Sequence, residues 1–156
     1  MLKVVVGSSV RTIVCGLLLA VGVSGCDESL QNVAGPTPNL QVSFASIQSE
    51  VFGTTDSAGR TACIVCHSVR NGVPPEAFLN LSAGVAYENL VNRPARFKPG
   101  AILIVPGDPQ NSYLYQKITG AAGINGQRMP FNGPPYLTDG QISIIARWIE
   151  RGANND

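Results

Sequence analysis

The pentapeptide Cys63-Ile64-Val65-Cys66-His67 is the stretch that decides the fold of this 156-residue sequence. On a helical turn, positions i, i+3 and i+4 share one face, so both thiols and the His67 imidazole are presented on the same side. The spacing therefore predicts a turn of helix that directs two sulfurs and one ring nitrogen at a single flat ligand.

Two thiols at this spacing can add across the two vinyl groups of a porphyrin to form thioethers, and the adjacent imidazole then reaches the iron. The pattern thus predicts one covalently bound haem of the c type, with Cys63, Cys66 and His67 as cofactor-binding residues and His67 as an iron ligand. His67 is the only histidine in the chain, so this ligand has no competitor.

Three other kinds of site use a pair of cysteines at this spacing. A structural disulfide leaves His67 without a role. A thioredoxin-like redox pair follows a strand in a βαβ pattern, which the neighbouring segments lack. A zinc site needs four ligands, whereas the chain beyond Cys26 offers two cysteines and one histidine. We therefore favour haem attachment over these alternatives.

The sixth iron ligand is expected to be Met129. It is the only methionine left once Met1 is lost, and it lies in a loop-like stretch, Gly126-Gln127-Arg128-Met129-Pro130. Pro130 fixes φ and stiffens this loop, and Met/His is a standard haem pair. The alternative is that Met129 only fills a gap in the core, as methionines commonly do.

The N-terminus has the pattern of an export signal. Lys3 and Arg11 precede an apolar run over residues 12–23, which is shorter than the roughly 20 residues that a membrane-spanning helix needs. The stretch Val23-Ser24-Gly25-Cys26 resembles the lipobox of bacterial lipoproteins, and this resemblance implies a signal peptide over residues 1–25 and a lipid on Cys26. An ordinary secretory signal with an incidental cysteine is the alternative.

Residues 26–39 are polar and contain Pro36 and Pro38, without the apolar periodicity of a helix or strand. We interpret them as a flexible tether that holds a domain, residues 40–156, away from the bilayer.

The composition, with 44% hydrophobic and 13% charged residues, is that of one globular domain. Removal of Lys3 and Arg11 with the leader leaves nine of the eleven basic residues against ten acidic ones. A near-neutral chain offers nucleic acid no basic surface to bind, so no nucleic-acid partner is expected.

The remaining sequence predicts short helices joined by loops rich in glycine and proline. The predicted helices cover residues 40–52, 83–91 with Ser82 as cap, 108–118 opening at Asp108-Pro109, and 138–152 opening on a capping box at Thr138 and Gln141. Residues 93–104 form a longer loop than a minimal domain requires, and we interpret it as an insertion rather than a lid.

The order of these features resembles a class I cytochrome c: an N-terminal helix, CIVCH, a middle helix, RMP in a loop and a C-terminal helix. The stretches VPGDPQNSYLYQKI and RMPFNGPPYLTDGQISIIARWIERGA are similar to the small planctomycete-type cytochrome domains of bacteria, and the likeness covers residues 40–156. It implies an all-α fold around one haem, His67 and Met129 as axial ligands, and electron transfer without a reaction on a substrate. One departure is that Phe52-Gly53 falls at a helix end, which puts the family's aromatic contact with Trp148 in doubt.

The expected partners are a redox donor and acceptor protein on the periplasmic side of a bacterial membrane, to which the lipid on Cys26 attaches the chain. A haem-based ligand or redox sensor with an open sixth position is the alternative function. A di-haem peroxidase is disfavoured, because it needs a second Cys-X-X-Cys-His.

The expected apolar walls of the haem site are Leu79, Leu81, Leu114, Phe131 and Ile145. The candidate donors to the haem propionates are Arg128, Arg96, Lys98, Tyr87 and Trp148.

Overall fold

A computed structural model describes residues 39–156 of the chain. The predicted signal peptide, Cys26 and all of the predicted tether except its last residue lie outside the described residues. Within residues 39–156, no helix has both the length and the apolar character needed to cross a bilayer.

The described chain consists of short helices joined by long loops. Residue pairing of the β type is confined, in this part of the chain, to isolated bridges such as Val91 with Ile104. The helical elements in chain order are α1 (Phe44–Ile47), a π-helical turn (Gln48–Phe52), 3-10 turns at Cys63–Val65 and Glu76–Phe78, α2 (Ala86–Leu90), α3 (Tyr113–Thr119) and α4 (Asp139–Glu150).

The first helix begins at Phe44, four residues later than predicted. The Ser43 hydroxyl accepts a hydrogen bond from the Ser46 amide at 3.2 Å, and the Asp156 carboxylate accepts one from the Phe44 amide at 2.7 Å. These acceptors satisfy amides that have no partner inside the helix, which fixes the start there. Leu40, although not helical, is buried with the helix's apolar stripe.

The last helix starts as predicted. The Thr138 side chain accepts from the Gln141 amide while the Gln141 side chain accepts from the Thr138 amide, so the capping box is confirmed. The helix ends at Glu150, two residues before Gly152, and its buried face includes Ile145, Trp148 and Ile149.

The two middle helices are shorter than predicted. Helix α2 begins at Ala86, and Ser82 contributes its backbone carbonyl rather than a side-chain cap. The predicted helix start at Asp108 is wrong, because that carboxylate accepts from the Asn111 amide at 3.1 Å and closes a turn ahead of α3. The predicted end of α3 is confirmed, since Gly120 caps it with a left-handed φ of 75°.

Aromatic side chains join the first and last helices. The ring centroids of Phe44 and Trp148 are 5.4 Å apart, and those of Phe44 and Tyr87 are 5.2 Å apart. The partner of Trp148 is thus Phe44, the first residue of α1, and not Phe52 at the end of the π-helical turn. Such ring pairs stabilise the core beyond the apolar area that they bury.

Candidate haem site

The candidate site is an apolar cavity of about 750 Å³ between the loops and helices α3 and α4. Its volume lies within the range of roughly 300 to 1,000 Å³ that is usual for cofactor sites. Cys63, His67 and Met129, which lie far apart in the sequence, all line it. The five residues predicted as apolar walls line it as well: Leu79, Leu81, Leu114, Phe131 and Ile145.

The pentapeptide folds as one tight turn rather than as a full helix. Cys63–Val65 is a 3-10 turn, and the His67 amide donates to the Cys63 carbonyl at 2.9 Å, which closes an α-type turn after it. Cys63 and His67 therefore share a side of the turn and reach the cavity together. Cys66, which was predicted to share that side, is exposed and does not line the cavity, and both thiols are free of a disulfide.

The Cys63 thiol is poorly suited to chemistry that needs a thiolate. Burial raises its pKa, and the nearby charge of Arg60 opposes this rise without overcoming it. The thiol donates a hydrogen bond to the Val51 carbonyl oxygen, with Sγ 3.6 Å from that oxygen. Redox-active and metal-binding cysteines have lowered pKa values, so this environment does not fit a dithiol redox pair.

The His67 ring is oriented by a backbone group. Its Nδ1 lies 3.0 Å from the Glu76 carbonyl oxygen, and a carbonyl can only accept, so Nδ1 carries the proton and Nε2 keeps its lone pair. Burial lowers the pKa of His67, and the hydrogen bond to Glu76 only partly opposes this. The imidazole is therefore neutral near pH 7, which is the form that ligates a metal. Its Nδ1–H is held by a backbone carbonyl, as the non-ligating nitrogen of a metal-binding histidine usually is.

The loop that carries Met129 is fastened to helix α3. The Met129 amide donates to the Lys117 carbonyl at 2.8 Å, and Arg128 Nε donates to the Ile118 carbonyl at 2.8 Å. The Lys117 ammonium also donates to the Asn125 carbonyl at 2.9 Å and to that of Gln127. Lys117 thus holds the loop from both its backbone and its side chain, which fixes where Met129 meets the cavity.

Large aromatic side chains surround the cavity and remain exposed. Phe78, Phe97 and Phe131 expose 56%, 58% and 68% of their surface, respectively, although each lines the cavity. A cluster of exposed apolar side chains around a cavity is typical of a ligand-binding site. A flat, largely apolar group bound in the cavity would cover them, so the residues present fit a haem.

The residues predicted as propionate donors divide into two groups. The predictions for Tyr87 and Trp148 are wrong, because these side chains donate to the Ala153 and Asn154 carbonyls of the C-terminal tail and do not line the cavity. Arg96 does line it, whereas Arg128 and Lys98 do not.

Two basic residues of the cavity wall were not predicted. Arg93 lines the cavity and donates from Nε to the Glu88 carbonyl, and Lys117 lines it beside the Met129 loop. Burial lowers the pKa of Lys117. Lys117 falls within the stretch VPGDPQNSYLYQKI, but nothing in that stretch marks it as a cavity residue, and Arg93 belongs to no quoted motif.

Arg60 was also missed by the sequence reasoning. It is fully buried, and its Nε lies 3.0 Å from Asp56 Oδ2. Its Nη1 donates to the Val51 carbonyl at 3.2 Å, the same oxygen that accepts from Cys63. This arginine therefore holds the segment just before the pentapeptide against the π-helical turn.

No protein-family model, curated protein or solved structure matches the chain. Within residues 39–156, no three or more histidine, cysteine, aspartate or glutamate side chains gather into a cluster. The family resemblance thus depends on the motifs quoted above.

Proposed function

We propose that this chain is a lipid-anchored, single-haem cytochrome of the class I type that carries one electron at a time and acts on no substrate of its own. The observation that carries the proposal is the meeting of Cys63, His67 and Met129, residues with the chemistry for haem attachment and ligation, in one apolar cavity. An all-α fold of short helices around the haem belongs to the same proposal.

Each part of the site has a distinct task in this function. Cys63 and Cys66 would hold the group covalently, while His67 and Met129 would supply the ligands to its iron. When bound, the haem supplies one-electron chemistry through alternation of its iron between the ferric and ferrous states. Because His67 and the Met129 loop are held by hydrogen bonds to the backbone, little rearrangement of the protein would accompany this change.

The apolar walls of the cavity would raise the reduction potential of the haem. Ferric haem carries one more positive charge than ferrous haem, and a low dielectric disfavours that charge. Leu81, Leu114 and Ile145 would therefore favour the ferrous form, as would the Met129 thioether. Arg96, which also lines the cavity, adds positive charge that acts in the same direction.

The direct test is a redox titration of the purified full chain, followed by visible spectroscopy. We expect one haem per chain and a reversible change that fits a single one-electron step. Absence of a haem spectrum from protein produced with the cytochrome c assembly machinery would contradict the proposal.

The proposed lipid anchor predicts where the protein is found. A Cys26→Ser variant should lose lipid labelling and leave the membrane fraction, because no other acylation site fits the lipobox. Cys15→Ser is the matched control in the same leader and should stay with the membrane, since Val14 before it fits no lipobox. Fractionation with a carbonate wash measures both; a Cys26→Ser variant that stays bound would identify the leader as an uncleaved anchor.

A further inference from the structure

Residues 93–104, which we name the strap, form a closed loop rather than a loose insertion. The Leu103 amide donates to the Arg93 carbonyl at 2.7 Å, and the Ala95 amide donates to the Ala101 carbonyl at 2.8 Å. These bonds tie the two legs of the strap together. The strap residues that line the cavity are Arg93, Pro94, Ala95, Arg96, Phe97 and Leu103.

One side of the strap contacts the segment that orients His67. The Arg96 guanidinium lies 3.9 Å from the centroid of the Phe78 ring, and the Phe97 ring is 6.4 Å from the same ring. Phe78 is two residues beyond Glu76, whose carbonyl accepts from His67 Nδ1. Ala77 and Phe78 have φ values of 53° and 56°. Such values are costly for residues other than glycine, so tertiary contacts must hold this segment in place.

The other side of the strap contacts the segment that leads to Met129. Lys98 Nζ donates to the Gly123 carbonyl at 2.8 Å, and the Asn125 side-chain amide donates to the Phe97 carbonyl. Lys98 Nζ also lies 4.9 Å from the centroid of the Tyr113 ring, whose hydroxyl accepts from the Asn125 amide at 2.9 Å. Residues 123–125 are thereby fixed to both the strap and helix α3.

We propose that the strap is a positioning element. It holds residues 76–78, which orient His67, and residues 123–125, which lead to Met129, at a fixed separation across the cavity. The inference rests on the proposed function, because that separation matters when one metal binds both residues. Lys98 is the strap side chain that donates to the Met129 side, and it acts as a positioning residue through residues 123–125. A loop that served only as an insertion would have no need to contact both ligand segments.

The strap predicts that loosening it lets Met129 leave the iron more often. In Lys98→Met the stem of the side chain is kept while its hydrogen bond and its charge near Tyr113 are lost. We expect carbon monoxide to bind the reduced, haem-loaded full chain about five to ten times faster than wild type, which is the effect expected from one charged hydrogen bond. Amide hydrogen exchange should also quicken in residues 121–130. Lys98→Arg, which keeps the charge and the donors, should restore both.

Two control variants separate this effect from charge and from general stability. Arg147→Met removes a positive charge from an exposed position of α4 that does not line the cavity. Ile47→Val weakens the core at a buried residue of α1 that does not line the cavity. Both variants should bind carbon monoxide at the wild-type rate and show unchanged exchange in residues 121–130.

The outcomes distinguish the strap from the proposed function. If Lys98→Met matches wild type in both rate and exchange, the strap is an insertion without a positioning role and the inference is overturned. If wild type itself binds carbon monoxide at once, ligation by Met129 fails instead. Exchange in residues 121–130 then decides alone whether the strap holds that segment, with unchanged exchange again overturning the inference.

Discussion

Replacement of both Cys63 and Cys66 by serine should abolish covalent haem attachment completely. The thioethers are the only bonds expected to survive denaturation, whereas the bonds from His67 and Met129 to iron are lost on unfolding. Haem-peroxidase staining of a denaturing gel should therefore give a strong band at the mass of the wild-type chain and none for the double variant. The effect is all or none, which makes it the sharpest test of the pentapeptide.

The single variants refine this test. Cys63→Ser and Cys66→Ser should each keep one thioether, and the absorption of the reduced pyridine complex should shift with the number of unsaturated vinyl groups. Cys15→Ser, in the leader, should stain like wild type. Extraction of all colour from the wild-type protein into acidified organic solvent would exclude thioether linkage and overturn the reading of the pentapeptide.

The sequence correctly predicted the helix ends that are capped by residues close to them in the chain. The capping box at Thr138 and the left-handed cap at Gly120 are confirmed, since each involves residues within four positions of one another. The start of α1 was wrong because one of its acceptors is Asp156, which is 112 residues away along the chain. Asp108 was read as a helix start, yet the same short-range acceptor closes a turn equally well.

The sequence predicted only those residues of the site that stand out by their type and spacing. Cys63, His67 and Met129 stand out because cysteine, histidine and methionine are so scarce in the chain, and the structure brings them to one cavity. The Glu76 carbonyl could not be predicted, since a backbone group has no signature in the sequence. Buried Arg60 could not be told from a surface arginine by any pattern, because its partners are an aspartate and three backbone carbonyls.

Met129→Ala should change the iron's sixth position while leaving haem attached through the two cysteines. A methionine thioether on ferric low-spin haem gives a weak far-red charge-transfer band that other protein ligands do not give, and the variant should lose it. The reduction potential should fall by an amount on the order of 0.1 V or more, because the thioether favours ferrous iron and axial ligands tune the potential over roughly 0.8 V. Absorption spectra and a redox titration measure the two effects.

Asn132→Ala is the matched control for this loop. Asn132 lies three residues from Met129, is exposed, and donates from its side chain to the Thr61 hydroxyl at 2.7 Å without lining the cavity. The control variant should keep the far-red band and the wild-type potential. Loss of the band in both variants would mean that any disturbance of the loop removes the ligand, and the spectrum would then not identify Met129.

Carbon monoxide separates a carrier from a sensor at the same position. Reduced Met129→Ala should bind it readily, whereas wild type, with both axial positions filled, should bind it slowly because the thioether must leave first. If wild type binds carbon monoxide at once and lacks the far-red band, the sixth position is open. Met129 is then a packing residue of the cavity wall, and a haem-based sensor displaces the electron carrier as the function that these residues support.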